Sequence, residues 1–241
     1  MSQNRSHAVM AQRREPHDSL DFFPTPPWAT RALFHHCVES WYPSQTVWDP
    51  CCGQGDMARP LSEFFETVHA SDVHPYPFVE AAGFLHDFIG LPKPVLPASD
   101  WIIANPPFRL ALPFILRALE LAPFVAIFAR LQLLEGAERR ERLWLPEAPT
   151  RVWVFSERVP IVKNMLDPEA SSATAYAWFV WQAGALAQPL GFIPPCRAEL
   201  ERAEDYTPYA EQVAARRAEE AAERAKKRAE KAAAVQQEMG L

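Results

Sequence analysis

The chain has 241 residues, 49% of them hydrophobic and 22% charged, which is enough apolar content to bury a full-sized core without disulfide or metal staples. This composition excludes a disordered polyanion and a collagen-like chain, and no apolar run approaches the roughly 18 residues of a membrane span. A formal net charge of -6 argues against indiscriminate coating of nucleic acid, while a local basic face would be invisible in that sum.

Residues 1–19 are polar, rich in Arg and His and without apolar periodicity, and read as a mobile arm ahead of a main domain over 20–195. Asp21-Phe22-Phe23-Pro24-Thr25-Pro26-Pro27 is held extended by its prolines. Apolar positions after it (Trp28, Ala32, Leu33, Val38, Trp41) recur at helical intervals, with Thr25 as the expected N-cap. Short β-type runs follow at 46–48, 67–70, 101–104, 124–128, 151–155 and 176–181, and helical patterns fill the gaps at about 56–66, 109–122 and 135–145. The alternation predicts βαβ units and a Rossmann-like, doubly wound α/β domain with a mostly parallel sheet. No helical pattern separates the last two runs, so they are expected to pair antiparallel across a long loop.

From about residue 196 the composition turns to Ala, Glu, Arg and Lys, a long-helix signature. Ala210, Ala214, Ala218, Ala221, Ala225, Ala229 and Ala232 keep an eleven-residue period, which lies nearly straight along a helix. The stripe gives little burial, so a solvated tail over 196–241 is expected, open to self-association. The basic cluster Arg224, Lys226, Lys227, Arg228 and Lys231 is interleaved with Glu219, Glu220, Glu223 and Glu230, which leaves little net charge for phosphates.

With only eight glycines in the chain, Gly53 and Gly55 are informative. They lie in Asp49-Pro50-Cys51-Cys52-Gly53-Gln54-Gly55-Asp56, directly after a β-type run and before a helical pattern. Such a turn lets backbone pass close to a ligand, and an acid at the strand end receives a cationic or hydroxyl group. Asp72 follows the second β-type run, where a ribose-binding acid belongs; the alternative is a turn-capping aspartate. Asn105-Pro106-Pro107-Phe108 closes the run 101–104, and its prolines end the ladder so that Asn105 faces the crevice beyond the sheet.

These residues resemble the class I S-adenosylmethionine-dependent methyltransferases, and among them small phage-type DNA adenine-N6 methyltransferases. Thr25-Pro26-Pro27 is similar to their amino-terminal cofactor motif, Asp49 to Gly55 to the glycine-rich motif, Asp72 to the ribose acid, Asp87-Phe88 to the adenine-contacting motif, and Asn105 to Phe108 to the catalytic tetrapeptide. The resemblance covers about 20–182 and implies a seven-stranded sheet with an antiparallel last pair. It implies S-adenosyl-L-methionine held by Thr25, Asp49, Pro50, Gly53, Gly55, Asp72, Asp87 and Phe88, with Asn105, Pro106, Pro107 and Phe108 carrying catalysis.

An exocyclic amine is conjugated with its ring and poorly nucleophilic. Acceptors on its two N–H groups, here the Asn105 side-chain oxygen and the Pro106 carbonyl, gain strength as charge appears on nitrogen. Phe108 is available to stack on an extruded base, a core role being its alternative. Asn at the first tetrapeptide position favours adenine within the resemblance and makes DNA the expected partner. Similar Asn-Pro-Pro-aromatic motifs in RNA-adenine and protein-glutamine methyltransferases leave those substrates open, as is a fold that binds nucleic acid or a partner without turnover.

In the loop after 155, Arg158, Lys163 and Asn164 are candidates for phosphates or base edges, against the alternative of a plain surface loop. Arg139, Arg140 and Arg142 add little because Glu138 and Glu141 sit beside them. Cys51 and Cys52 read as small apolar fillers. Cys37, Cys51, Cys52 and Cys196 show no C-x-x-C spacing and no apolar signal core opens the chain, so a reducing, cytoplasmic setting is expected. All seven histidines precede residue 87 and none joins a zinc-type set, so no metal is expected.

Overall fold

The computed structural model describes residues 21–38, 45–91 and 98–238, with side chains to residue 230; the arm at 1–19 and Trp41 lie outside the described residues. Eight strands form one sheet: β1 (Thr46–Asp49), β2 (Thr67–Asp72), β3 (Phe84–Leu85), β4 (Trp101–Ala104), β5 (Phe124–Arg130), β6 (Arg151–Phe155), β7 (Tyr176–Gln182) and β8 (Gly191–Ile193), in the order β3-β2-β1-β4-β5-β7-β6-β8. The register runs parallel from β3 through β5, with Val47 opposite Val68 and Trp101 and Ile103 opposite Ala126. β7 is antiparallel to both β5 and β6, as the helix-free stretch between the last two predicted runs requires.

The count is eight rather than seven because Gly191–Ile193 adds a parallel edge beside β6. That strand is too short and too lightly patterned to be read from sequence. Its Gly191 packs where a β-carbon would fall 2.3 Å from the Trp153 ring.

Side chains alternate between the two faces and build one core on each. Val47, Trp101, Ile103, Phe128 and Trp178 pack on one face against Trp28, Leu33 and Phe34. Those three come from α1 (Pro27–Ala32) and the π-helical turn Leu33–Cys37 that continues it. The Trp178 indole N–H donates to the Ala29 carbonyl at 2.9 Å and locks this helix to β7. Trp48, Ile102, Ile127 and Phe179 face the other way, against Leu112 and Ile115 of α4 (Ala111–Leu121).

Two local expectations are corrected. Thr25 does not cap α1: Pro26 holds the N-cap position, and the Thr25 hydroxyl instead receives a hydrogen bond from Asn105. The helical pattern at 56–66 is regular only over α2 (Ala58–Leu61). Pro60 brings no N–H, and Ser62, Glu63 and Phe64 bond back three residues rather than four, tightening the turn toward β2.

The third helical pattern appears as α5 (Ala137–Arg139) running into a π-helical turn, and α3 (Pro77–Ala82) lies between β2 and β3. The long helix of the C-terminal segment is largely solvated as expected, but the stretch ahead of it is not. α6 (Arg197–Leu200) and the 3-10 turn Ala203–Tyr209 bring it back across the domain. Buried Arg31 donates to the Leu200 carbonyl at 2.9 Å and pairs with Asp205 at 2.8 Å and Glu63 at 2.9 Å. α7 (Ala210–Glu238) then leaves the domain: Val213 is buried, Arg216 and Arg217 pair with Asp167, and residues 221–230 are exposed. Among the described residues no helix is long and apolar enough to cross a membrane.

Candidate active site

A cavity of about 340 Å³ opens at the carboxyl ends of β1, β2 and β4, where ligands bind in open α/β sheets. Its wall combines Thr25, Asp49, Pro50, Asp72, Asp87, Phe88, Asn105 and Pro107 from the sequence motifs. Gly53, Gly55, Pro106 and Phe108 do not line it and instead shape the segments that do. Asp21, Asp56, His86 and the aromatic pair Phe22 and Phe23 also contribute.

Both glycines of the turn are required by shape. Gly53 has φ +52° with the Phe22 ring 2.5 Å from where a β-carbon would sit, and Gly55 has φ +80° with Phe78 at 2.6 Å. The Gly53 N–H donates to Asp72 Oδ2 at 2.9 Å and the His74 N–H to Asp72 Oδ1 at 2.9 Å, which ties the glycine turn to the end of β2. Asp87 accepts from the Ile89 and Gly90 N–H groups, and Phe88 is buried between Trp48 and Phe114.

Among the described residues, five aspartates line the cavity and no lysine or arginine does. Asp49 is 1% exposed. Burial pushes its carboxyl well above the ordinary range and nearby Asp72 and Asp56 add to this, opposed by the Cys51 N–H. Burial lifts Asp56 to about 6 and raises Asp72 as well. The same desolvation lowers His86, which favours its neutral imidazole. Asp49 Oδ2 and Asp56 Oδ1 are buried without a hydrogen-bond partner among the described residues. Such a lining repels a pyrophosphate and lacks a cation, so it fits a ligand that carries positive charge. Burial and the adjacent Asp49 raise both Cys51 and Cys52, which keeps these thiols neutral and non-nucleophilic.

Asn105 is oriented by its own hydrogen bonds. Its Nδ2 donates to the Phe23 carbonyl at 2.8 Å and to Thr25 Oγ1 at 2.9 Å. A carbonyl only accepts, which fixes the amide orientation and leaves Oδ1 as the acceptor not committed to this segment. The Phe108 N–H donates to Asp21 Oδ2 at 2.8 Å, so the segment 21–25 is clamped onto the tetrapeptide at both ends. The Arg130 guanidinium carbon lies 3.8 Å from the Phe108 ring centroid, and Phe23 lies on the same ring at 5.2 Å.

Arg158 and Asn164 are exposed and Lys163 half-buried, and none of them lines the cavity. Asn164 alone adjoins it, its N–H donating to the Phe22 carbonyl at 3.0 Å from a left-handed backbone at φ 66°. Asp56 was visible in sequence as the acid after Gly55, and Asp21 as the acid before the aromatic pair. Arg130 and Tyr209, whose hydroxyl reaches Asp56 at 2.6 Å, carry no sequence signal because only the folded chain brings them there. Among the described residues no group of three or more His, Cys, Asp or Glu could hold a metal ion.

The sequence matches no protein-family model and no curated protein. Its fold is that of the class I methyltransferases. A protein of Listeria monocytogenes described as a class I S-adenosylmethionine-dependent methyltransferase superposes with a TM-score of 0.55 at 12% identity, over 81% of this chain and 72% of its own. A protein of Pyrococcus horikoshii described as an RNA methyltransferase gives 0.51 at 17% identity, over 70% and 91%. A modification subunit assigned to a type I restriction enzyme of Vibrio vulnificus gives 0.52 at 15% identity, over 72% of this chain but only 47% of that subunit.

Proposed function

We propose that this chain methylates the exocyclic N6 amino group of adenine in DNA, with S-adenosyl-L-methionine as donor. One observation carries the reading: Asn105, just after β4, lines the same cavity as Asp49, Asp56 and Asp72, and among the described residues that lining holds five aspartates and no lysine or arginine. A sulfonium compound with a free ammonium group is the cation such a wall accommodates, and bound there it supplies an electrophilic methyl. Thr25, Asp49, Pro50, Asp72, Asp87 and Phe88 would hold it from the wall, with Gly53 and Gly55 shaping the turn beneath.

The chain's own contribution to transfer is orientation and charge. Asn105 Oδ1 and the Pro106 carbonyl accept the two N–H groups of the target amine, and both contacts strengthen as positive charge develops on nitrogen. The bonds from Asn105 to Phe23 and Thr25 pre-set that oxygen before the target arrives. Pro107 limits the backbone freedom of the corner, and Phe108 offers a ring face to an extruded base. Since Arg130 covers Phe108 at 3.8 Å, a base stacks either on the opposite face or in place of the guanidinium. Arg158, Lys163 and Asn164 are assigned to phosphates or base edges beside the cavity, and no metal takes part in this scheme.

A nucleic-acid substrate accords with the restriction-system neighbour, and the RNA methyltransferase neighbour makes RNA adenine the second reading. Incubation with methyl-labelled cofactor and separate DNA, RNA and protein substrates decides between them. Label recovered only as N6-methyladenine in DNA is the expected result. Label in RNA, or on glutamine in protein, overturns the DNA assignment. Cofactor binding without label in any substrate overturns the enzymatic reading in favour of a binding module.

A further inference from the structure

The C-terminal segment reaches the cavity through a buried hydrogen bond. Tyr209, 2% exposed, donates its hydroxyl to Asp56 Oδ2 at 2.6 Å across 153 residues of sequence. The ring is held by Leu166 and Val213, and the backbone around it is anchored by the pairing of Arg31 with Asp205 and of Arg217 with Asp167. The hydroxyl therefore stands on a rigid support.

Asp56 follows Gly55 at the exit of the glycine turn and is 3% exposed. Its other oxygen has no hydrogen-bond partner, and the nearest cation, the half-exposed Arg59, stays 3.7 Å away. Asp49 shares this pattern, with Oδ1 accepting from Cys51 and Oδ2 unbonded, but among the described residues only Asp56 is held by a side chain from the C-terminal segment. Asp72 and Asp87, by contrast, accept backbone N–H groups. Asp56 is thus a carboxylate with one oxygen fixed by the far end of the chain and the other without a hydrogen bond, met only by the long ion pair to Arg59, in a cavity wall that holds no lysine or arginine among the described residues. A buried carboxylate keeps its charge only beside a cation or several donors.

We propose that Tyr209 positions Asp56 to receive the ammonium group at the amino-acid end of the cofactor, so that the C-terminal segment completes the cofactor subsite. This rests on the cofactor reading above. Tyr209 touches no ligand itself and is a positioning residue; Asp56 makes the contact. The burial that lifts Asp56 to about 6 agrees with a site short of one positive charge.

Calorimetry with two ligands tests the assignment. S-adenosylhomocysteine carries the ammonium, whereas 5′-methylthioadenosine has the same nucleoside and thioether without the amino-acid end. Tyr209→Phe and Asp56→Asn should each weaken S-adenosylhomocysteine about tenfold and leave 5′-methylthioadenosine within about twofold. Asp56→Asn keeps an acceptor for the Tyr209 hydroxyl, so its effect reads the lost charge with the support intact. Equal weakening of both ligands, or of neither, overturns the subsite while the cofactor reading stands. Failure of the unmodified chain to bind either ligand overturns the cofactor reading and this proposal together.

Discussion

Replacing Asp56 by asparagine should stabilise the ligand-free chain at neutral pH and flatten its response to acid. Desolvation lifts this carboxyl from 3.8 to about 6, against the opposing pull of the Tyr209 hydroxyl and Arg59. A carboxyl raised in the folded state contributes stability that is fully present below its unfolded value and lost as pH rises through its folded one. The rise of about two units corresponds to about 3 kcal/mol, or about 6–12 °C in melting temperature for a chain of this length. Asparagine keeps the shape and an acceptor for Tyr209 at 2.6 Å while removing the ionisation. Melting the two chains from about pH 4 to about pH 7.5 should show them converging at the acid end, with the variant ahead at the neutral end. Burial raises Asp49 and Asp72 and lowers His36 and His86, so these groups contribute to the slope left in the variant. Parallel slopes, or a variant less stable near neutrality, would show that the Asp56 charge is not the strained element.

Two further changes separate chemistry from architecture. Asn105→Ala should lower turnover by about 10²–10³-fold while S-adenosylhomocysteine stays bound within about tenfold, since the lost oxygen faces the target amine; equal loss in both measurements would move Asn105 from catalysis to cofactor binding. Gly55→Ala forces a β-carbon to within 2.6 Å of Phe78 at φ +80°, and urea titration should report a loss of about 1–3 kcal/mol; an unchanged midpoint would mean the turn relaxes freely.

The sheet was legible because its strands alternate apolar faces and are separated by helical periods, both local patterns. Val47 and Trp48, or Ile102 and Ile103, announce opposite faces two residues at a time. The glycine turn and the tetrapeptide were legible for the same reason, since each is a contiguous run whose backbone constraint lies in its own residues. Helix lengths were less so: the pattern at 56–66 is truncated around Pro60, where hydrogen bonding rather than periodicity sets the boundary. The eighth strand exists because β6 offers it an edge, which no property of Gly191–Ile193 foretells.

Sequence order alone supplied the α/β architecture and the residues facing the carboxyl edge of the sheet, because those follow from nearest-neighbour backbone preferences and side-chain periodicity. The clamp of 21–25 on Asn105, the guanidinium over Phe108 and the hydroxyl of Tyr209 on Asp56 came from folding. Each joins groups from 22 to 153 positions apart, reckoned from Arg130 and Phe108 to Tyr209 and Asp56. Contacts at such separations depend on how the layers pack, and a one-dimensional pattern holds no record of that packing.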